Sequence, residues 1–352
     1  MAFDKRQTNI AKGIAILLLL WHHLFFDTPE RYDKFVSVFI HENVPIECSV
    51  APLFKVCVAI FLLLSGYGLF ISYKKYSSEY GTLSSKDILK KDITYVKNHL
   101  LKLMSGFWFI YIIFVTMGFL FGRNPVEVYD GNVLYFLVDF LGLSGLFGTP
   151  IFNATWWFMG LIIPIYLLYP LIHKIFNYCP ELLLVISFAL QLCYFISEFN
   201  GIRLYLFSFV LGMYTSTRNL MDRCYVVLDT LFKRIFTLVI FLLIVVFYKC
   251  TVFFYSLEID GLVALDIVMI CFLIISQIPI LSTVLEFLGT HSGSIFMFHT
   301  FIYYYYFEKF VYSFKYSLLI YVIFIVVCVI ISVIINYLKK VSRYNKLFKL
   351  MC

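Results

Sequence analysis

Long apolar stretches alternate with short polar ones along almost the whole chain. A helix crosses a bilayer with about 20 apolar residues. Residues 10–26, 52–73, 100–121, 157–173, 182–198, 202–218, 234–250, 260–280, 286–307 and 316–338 all approach that length. The pattern predicts ten transmembrane helices. The stretch 133–147 is shorter and carries Asp139 and several glycines, so it is expected to lie at the interface or to re-enter the membrane. No period of 20–50 residues repeats, and no Pro/Ser-rich linker interrupts the chain. The expected organisation is one transmembrane domain over 1–340 and a short basic cytoplasmic tail over 341–352.

Composition agrees with this pattern. Hydrophobic residues make up 62% of the 352 and charged residues only 14%, whereas a soluble domain is nearer half apolar and a quarter charged. The aromatic share of 20% suits lipid-facing and interfacial surfaces. A net charge of +7 does not point to nucleic acid, because the basic residues fall in short segments between apolar ones. The first apolar run lacks a small-x-small cleavage site and ends in Trp21, His22 and His23, so an uncleaved first helix is expected. The nine cysteines form no CxxC and no metal-ligand spacing, and no metal is expected. Cys193, Cys271 and Cys328 sit in apolar runs as small hydrophobes; only Cys48 and Cys57 are placed to pair outside the membrane.

Charge placement predicts orientation. With the N-terminus in the cytoplasm, 20 of the 28 Lys and Arg fall on the cytoplasmic side and 8 on the other, as the positive-inside rule requires. The predicted class is an all-α integral membrane protein: a polytopic bundle of about ten helices, both termini cytoplasmic, with no separate soluble domain. Six lysines in 74–99 form an expected cytoplasmic basic loop.

The first helix carries an ionisable group near each end. Lys12 and His23 are 11 positions apart, so they share one helix face within about 20° and are separated by about 16 Å of rise. His22 lies about 100° away from that stripe. Two readings stay open on the residues alone. A lysine near a helix end snorkels to head groups and a histidine anchors at the interface; alternatively, an ionisable pair on one stripe lines an interior path.

At this point the chain resembles a known family. "NIAKGIAILLLLWHH" (9–23) is similar to the first helix of the family-three membrane acyltransferases, which carries a basic residue, ten intervening residues and a histidine; the family more often has arginine where Lys12 stands. "FLLLSGYGLF" (61–70), "WWFMGLIIPIYLLYPLI" (156–172), "RLYLFSFVLGM" (203–213) and "FLGTHSGSIFMFHTFI" (287–302) resemble further family motifs in the same order, with Phe296 where tyrosine is commoner. The resemblance covers about residues 5–340.

The resemblance implies an integral-membrane acyltransferase, most simply an O-acetyltransferase, moving an acyl group from acyl-coenzyme A to a hydroxyl of a cell-surface or lipid-linked polysaccharide. Such a protein resides in the cytoplasmic membrane of a bacterium, leaving room for a homo-oligomer or glycan-assembly partners. The expected roles are a base at His23, with His299 and Ser292 polarising the thioester or orienting that base. Lys12, Lys74 and Lys75 attract the donor phosphates, and Arg203, Trp156 and Trp157 face the acceptor. No cofactor is bound in this reading; acyl-coenzyme A is a substrate. Only about 14 residues follow 338, so no soluble transferase domain is expected and transfer is completed in the membrane or handed to a partner.

Each role has a plainer competitor. The basic loop simply obeys charge asymmetry, and Ser292 and His299 make an interhelical hydrogen bond. Trp156 and Trp157 are interfacial belt residues, and Arg203 pairs with Glu198. Ser65-Gly66 marks close helix packing rather than a nucleophile. His291 is structural, and Asp139 and Asp266 are buried acids. A rival from another class is a transporter or flippase for an acyl group or a lipid-linked sugar. The halves show none of the internal symmetry such folds usually carry.

Overall fold

A computed structural model describes residues 3–26, 29–78, 80–81, 83–193, 200–251 and 258–344. Its longer helices are α1 (Lys5–Phe25), α2 (Cys57–Ser77), α3 (Ser85–Gly118), α4 (Val133–Phe140), α5 (Trp157–Leu167), α6 (Tyr169–Tyr178), α7 (Pro180–Gln191), α8 (Asn200–Thr217), α9 (Leu231–Thr251), α10 (Asp260–Leu273), α11 (Pro279–Thr300) and α12 (Ser317–Val341). Sequences as rich in β-branched residues as α12 would suit a strand in water. In lipid every backbone N–H must be bonded within the segment, and the helix is what remains. Lys74 and Lys75 occupy the last turn of α2, and Lys339 and Lys340 that of α12, where cations oppose the negative end of the helix dipole.

Six helical segments among the described residues are long and apolar enough to cross a membrane, namely Lys5–Phe25, Ile46–Ser77, Ser85–Gly118, Leu231–Thr251, Asp260–Gln277 and Ser317–Val341. The protein is a multi-pass membrane protein. The sequence predicts ten spans; among the described residues a seventh is reached if the bent pair over 157–173 crosses as one, and the other three stretches do not meet the same length and composition. The stretch 157–173 is broken into α5 and α6, which bend by 60°. Pro170 lacks an N–H and its ring opposes the carbonyl four residues back, so one straight helix cannot continue. Helix α7 has only 12 residues, and the rest of 182–198 lies largely outside the described residues. Helices α8 and α11 are long but carry polar residues such as Arg203, Thr215, Glu286 and His299.

The chain folds as two compact units, 1–27, 48–79 and 175–292 in one and 28–47, 80–174 and 293–352 in the other. In the first unit one helix crossing depends on two glycines. A Cβ on Gly66 would overlap the carbonyl oxygen of Phe209, and one on Gly212 that of Leu63. Helices α2 and α8 therefore touch backbone to backbone, the usual small-residue contact in membranes. Ser65 donates to Phe61 O at 2.8 Å within its own helix, which leaves Ser65-Gly66 as a packing step. Cys48 and Cys57 are buried free thiols. Lys249 and Asp260 form an ion pair whose side chains are 2% and 1% exposed.

In the second unit α3 is a 34-residue helix started by Ser84, whose side chain accepts from Asp87 N. Lys86, Lys90, Lys91 and Lys97 therefore sit on a helix, not in the loop expected over 74–99. A two-stranded hairpin pairs Ile40–His41 with Val44–Pro45. Its turn residues Glu42 and Asn43 have φ of 50° and 64°, the left-handed pair that tight hairpins need. Glu47 ties this hairpin down by accepting from Val38 N at 2.9 Å and from Ser37 and Ser317 hydroxyls.

Candidate active site

Helix α1 is continuous from Lys5 to Phe25, so the stripe from Lys12 to His23 runs along one unbroken helix. The helix starts at Asp4, whose carboxylate accepts from Arg6 N and Gln7 N. It is held against α11 within the first unit. A Cβ on Gly13 would overlap Leu285 O, and one on Gly289 would overlap Asn9 O. Arg6 adds an ion pair to Glu286 at 3.1 Å and a bond to Ser282 at 3.0 Å. Lys12 and His23 are both half-buried. The helix is thus a fixed scaffold for both groups.

The two histidines separate cleanly. His22 is buried, and its Nδ1 lies 2.7 Å from Ala51 O. A carbonyl only accepts, so Nδ1 carries the hydrogen. His22 braces the end of α1 against the 3-10 turn Ala51–Val56. The His23 ring packs edge-on to His22 at 5.0 Å and takes no part in that brace.

In the second unit His299 is fully buried near the end of α11. Its Nδ1 lies 3.0 Å from Phe296 O and 3.1 Å from Ile295 O, so this nitrogen is the donor and Nε2 faces Thr300 Oγ1 at 3.5 Å. Thr300 donates to Thr155, and Thr155 donates to Asn153 Oδ1 at 2.9 Å. Asn153 Nδ2 and Trp156 Nε1 both donate to Met297 O, at 3.1 and 2.8 Å. The network joins the start of α5 to the end of α11. Sequence reasoning missed Asn153 and Thr155; their place just before the Trp pair, as the cap of a helix start, was the available signal.

Several expected acceptor and donor residues have other work. Trp156 is 1% exposed and packs against Phe107, Tyr111 and Phe301. It is therefore a core residue, not an interfacial one, and offers no open face to a sugar. Its indole N–H needed a buried acceptor, and the Met297 carbonyl supplies one. Trp157 is half-buried at the first position of α5. Ser292 donates to Gly289 O at 2.8 Å, so its hydroxyl proton is already used within α11. Arg203 is buried and donates to Gln191 O, capping the buried carbonyl end of α7. Its expected partner Glu198 lies outside the described residues. Lys74 and Lys75 are exposed.

The second unit holds two further features. A cavity of about 690 Å³ is bounded by Leu89, Ile93, Leu167 and Leu171, with Lys97 and Lys174 also in its wall. It lies where α5 and α6 bend apart. The acid of the 133–147 stretch is buried in the last turn of α4, where Asp139 Oδ2 accepts from Tyr129 OH at 2.7 Å and Phe152 N at 2.9 Å. Tyr129 and Tyr111 hydroxyls then meet at 2.8 Å. Burial pushes the Asp139 carboxyl up to about 6 and the Tyr129 phenol well above its ordinary value. Asp266 in the first unit is buried with no ion-pair partner among the described residues.

An acyltransferase domain of acyltransferase family 3 matches residues 7–337. The chain belongs to acyltransferase family 3. That match takes in α1 from before Lys12 to the end of α12 but for its last turn, and both units. No curated protein and no solved structure matches the chain. As a family 3 member the protein is a membrane acyltransferase.

Proposed function

We propose that this acyltransferase moves an acetyl group from acetyl-coenzyme A to a sugar hydroxyl of a cell-surface or lipid-linked polysaccharide, in the cytoplasmic membrane of a bacterium. The observation that carries the reading is the Lys12–His23 stripe on an unbroken, glycine-anchored α1 in a family 3 chain. His23 takes the proton of the acceptor hydroxyl as its oxygen attacks the thioester carbonyl. The carbon–sulfur bond breaks, and the leaving thiolate receives a proton from the imidazolium. An imidazole suits both steps because its ordinary pKa is near 6.5. Lys12, about 16 Å away along the helix, holds negative charge of the donor nucleotide, with Lys74 and Lys75 as diffuse attraction. His299, held by Phe296 O and Ile295 O, is not the base in this reading.

The test uses purified protein in lipid nanodiscs with labelled acetyl-coenzyme A. Free coenzyme A should appear only when a polysaccharide acceptor is added. His23→Ala should remove that release while the protein stays folded; retained turnover refutes the assignment.

A further inference from the structure

The four consecutive tyrosines Tyr303–Tyr306 lie in a π-helical turn, Phe301–Tyr306, that continues α11 within the second unit. Such turns shift the phase of the helix and recur at functional sites. Here the shift buries Tyr303 and leaves Tyr304 49% exposed. Tyr304 and Tyr305 wall an open cavity of about 600 Å³ together with Arg123, Asn124, Glu127 and Glu308.

The polar groups of this cavity are fixed by neighbours and yet keep bonding capacity. Arg123 donates from Nε to Phe152 O at 3.0 Å, and its guanidinium lies 3.9 Å over the Tyr305 ring. Its two terminal nitrogens have no acceptor among the described residues. Glu308 accepts from Lys34 at 2.6 Å through Oε1 only. The Tyr304 hydroxyl has no partner among the described residues, while Arg31 stands 5.9 Å from the Tyr304 ring. Asn124 is tied up by Val126 N and Glu127, which positions Glu127 at the rim.

We infer that this cavity is a binding site for an uncharged pyranose of a glycan chain. It deepens the acyltransferase reading, on which it rests, by naming where the glycan acceptor is held. A half-exposed tyrosine ring matches the apolar C–H face of a sugar, while a planar arginine fork and carboxylates match vicinal hydroxyls. The charges are close to balanced, with Glu127 beside Arg123, Glu308 paired with Lys34, and Arg31 the further cation near Tyr304. Carboxylates set beside the arginine suit neutral hydroxyls better than a phosphate.

The experiment is saturation-transfer NMR on the full chain in nanodiscs, with free neutral-hexose, N-acetylhexosamine and hexuronate tetrasaccharides as probes and glycerol phosphate as competitor. At least one neutral probe should receive saturation. Tyr304→Ala and Glu308→Gln should each weaken it about tenfold, as the loss of one aromatic platform or charged acceptor implies. Tyr304→Phe should keep most of it. Three results overturn the inference: no tetrasaccharide binding at all, binding unchanged in Tyr304→Ala, or glycerol phosphate displacing the sugar as well as another sugar does. Sugar binding without any release of coenzyme A would fail the proposed transfer reaction and leave the site standing. His23-dependent turnover with sugar binding unchanged in Tyr304→Ala would do the reverse.

Discussion

Exchanging His22 and His23 singly for alanine should damage two different properties. The His22→Ala change removes a 2.7 Å bond to Ala51 O. Ala51 is fully buried at the start of its 3-10 turn, so its carbonyl keeps the turn's backbone bond and loses a second donor, at a cost of about 0.5–1.5 kcal/mol. Loss of the buried ring adds a cavity term, bringing the total to about 2–4 kcal/mol. In a chain of this size that corresponds to an apparent melting midpoint lower by about 5 °C. His22→Asn, whose amide nitrogen sits near the place of Nδ1, should recover much of the loss. His23→Ala leaves the His22 bond to Ala51 O in place. Its turnover should fall by about 10²–10⁴-fold, the usual worth of a general base. The assay pairs thermal scans at one fixed scan rate with coenzyme A release per folded molecule. If His22→Ala melts like the wild type, or if both variants lose turnover equally at equal folded fraction, the division of labour is wrong.

Three other outcomes are expected. Lys12→Arg should bind donor at least as well as the wild type, because the charge is kept and a bidentate fork is added; Lys12→Glu should raise the KM for acetyl-coenzyme A, which steady-state kinetics reads directly. Asp260→Ala leaves Lys249 buried without its counter-charge and should cost about 3–5 kcal/mol, whereas Lys249→Met with Asp260→Leu should recover most of it in the same thermal scan. Asp139 titrates near 6 in the fold against an ordinary 3.8, so the folded protein holds this proton more tightly than the unfolded chain. Its contribution is complete below pH about 4 and is lost as pH rises through 6, by at most ~3 kcal/mol. Asp139→Asn keeps an acceptor for Tyr129 and Phe152 N and should flatten the fall in melting midpoint between pH 5 and 7.5; an unchanged slope would contradict the buried-acid reading.

Much of this protein was legible before folding, because the bilayer imposes rules that act on short stretches. Apolar run length and the requirement for internal backbone bonding predicted a multi-pass helical protein, and the family followed from five short motifs in order. The Lys12–His23 stripe follows from helix period alone, and α1 is indeed continuous across both residues. Run length could not tell a straight span from the 60° break at α5 and α6, nor a span from the 12-residue α7. It also could not reveal the hairpin at Ile40–Pro45, held by Glu47 contacts to Ser317 far along the chain.

Side-chain roles divided along the same line. That His22 and His23 lie on different faces is a property of 3.6 residues per turn, and the sequence determined it. Only the tertiary structure decided that His22 would find a carbonyl on another segment, that Trp156 would be a core residue, and that Arg203 would close the end of α7. It alone brought Arg123 over Tyr305 and Lys249 to Asp260. The reason is range. Helix period and lipid solvation act within about 20 residues, whereas a buried polar group takes whichever partner the packed fold sets beside it, at any separation along the chain.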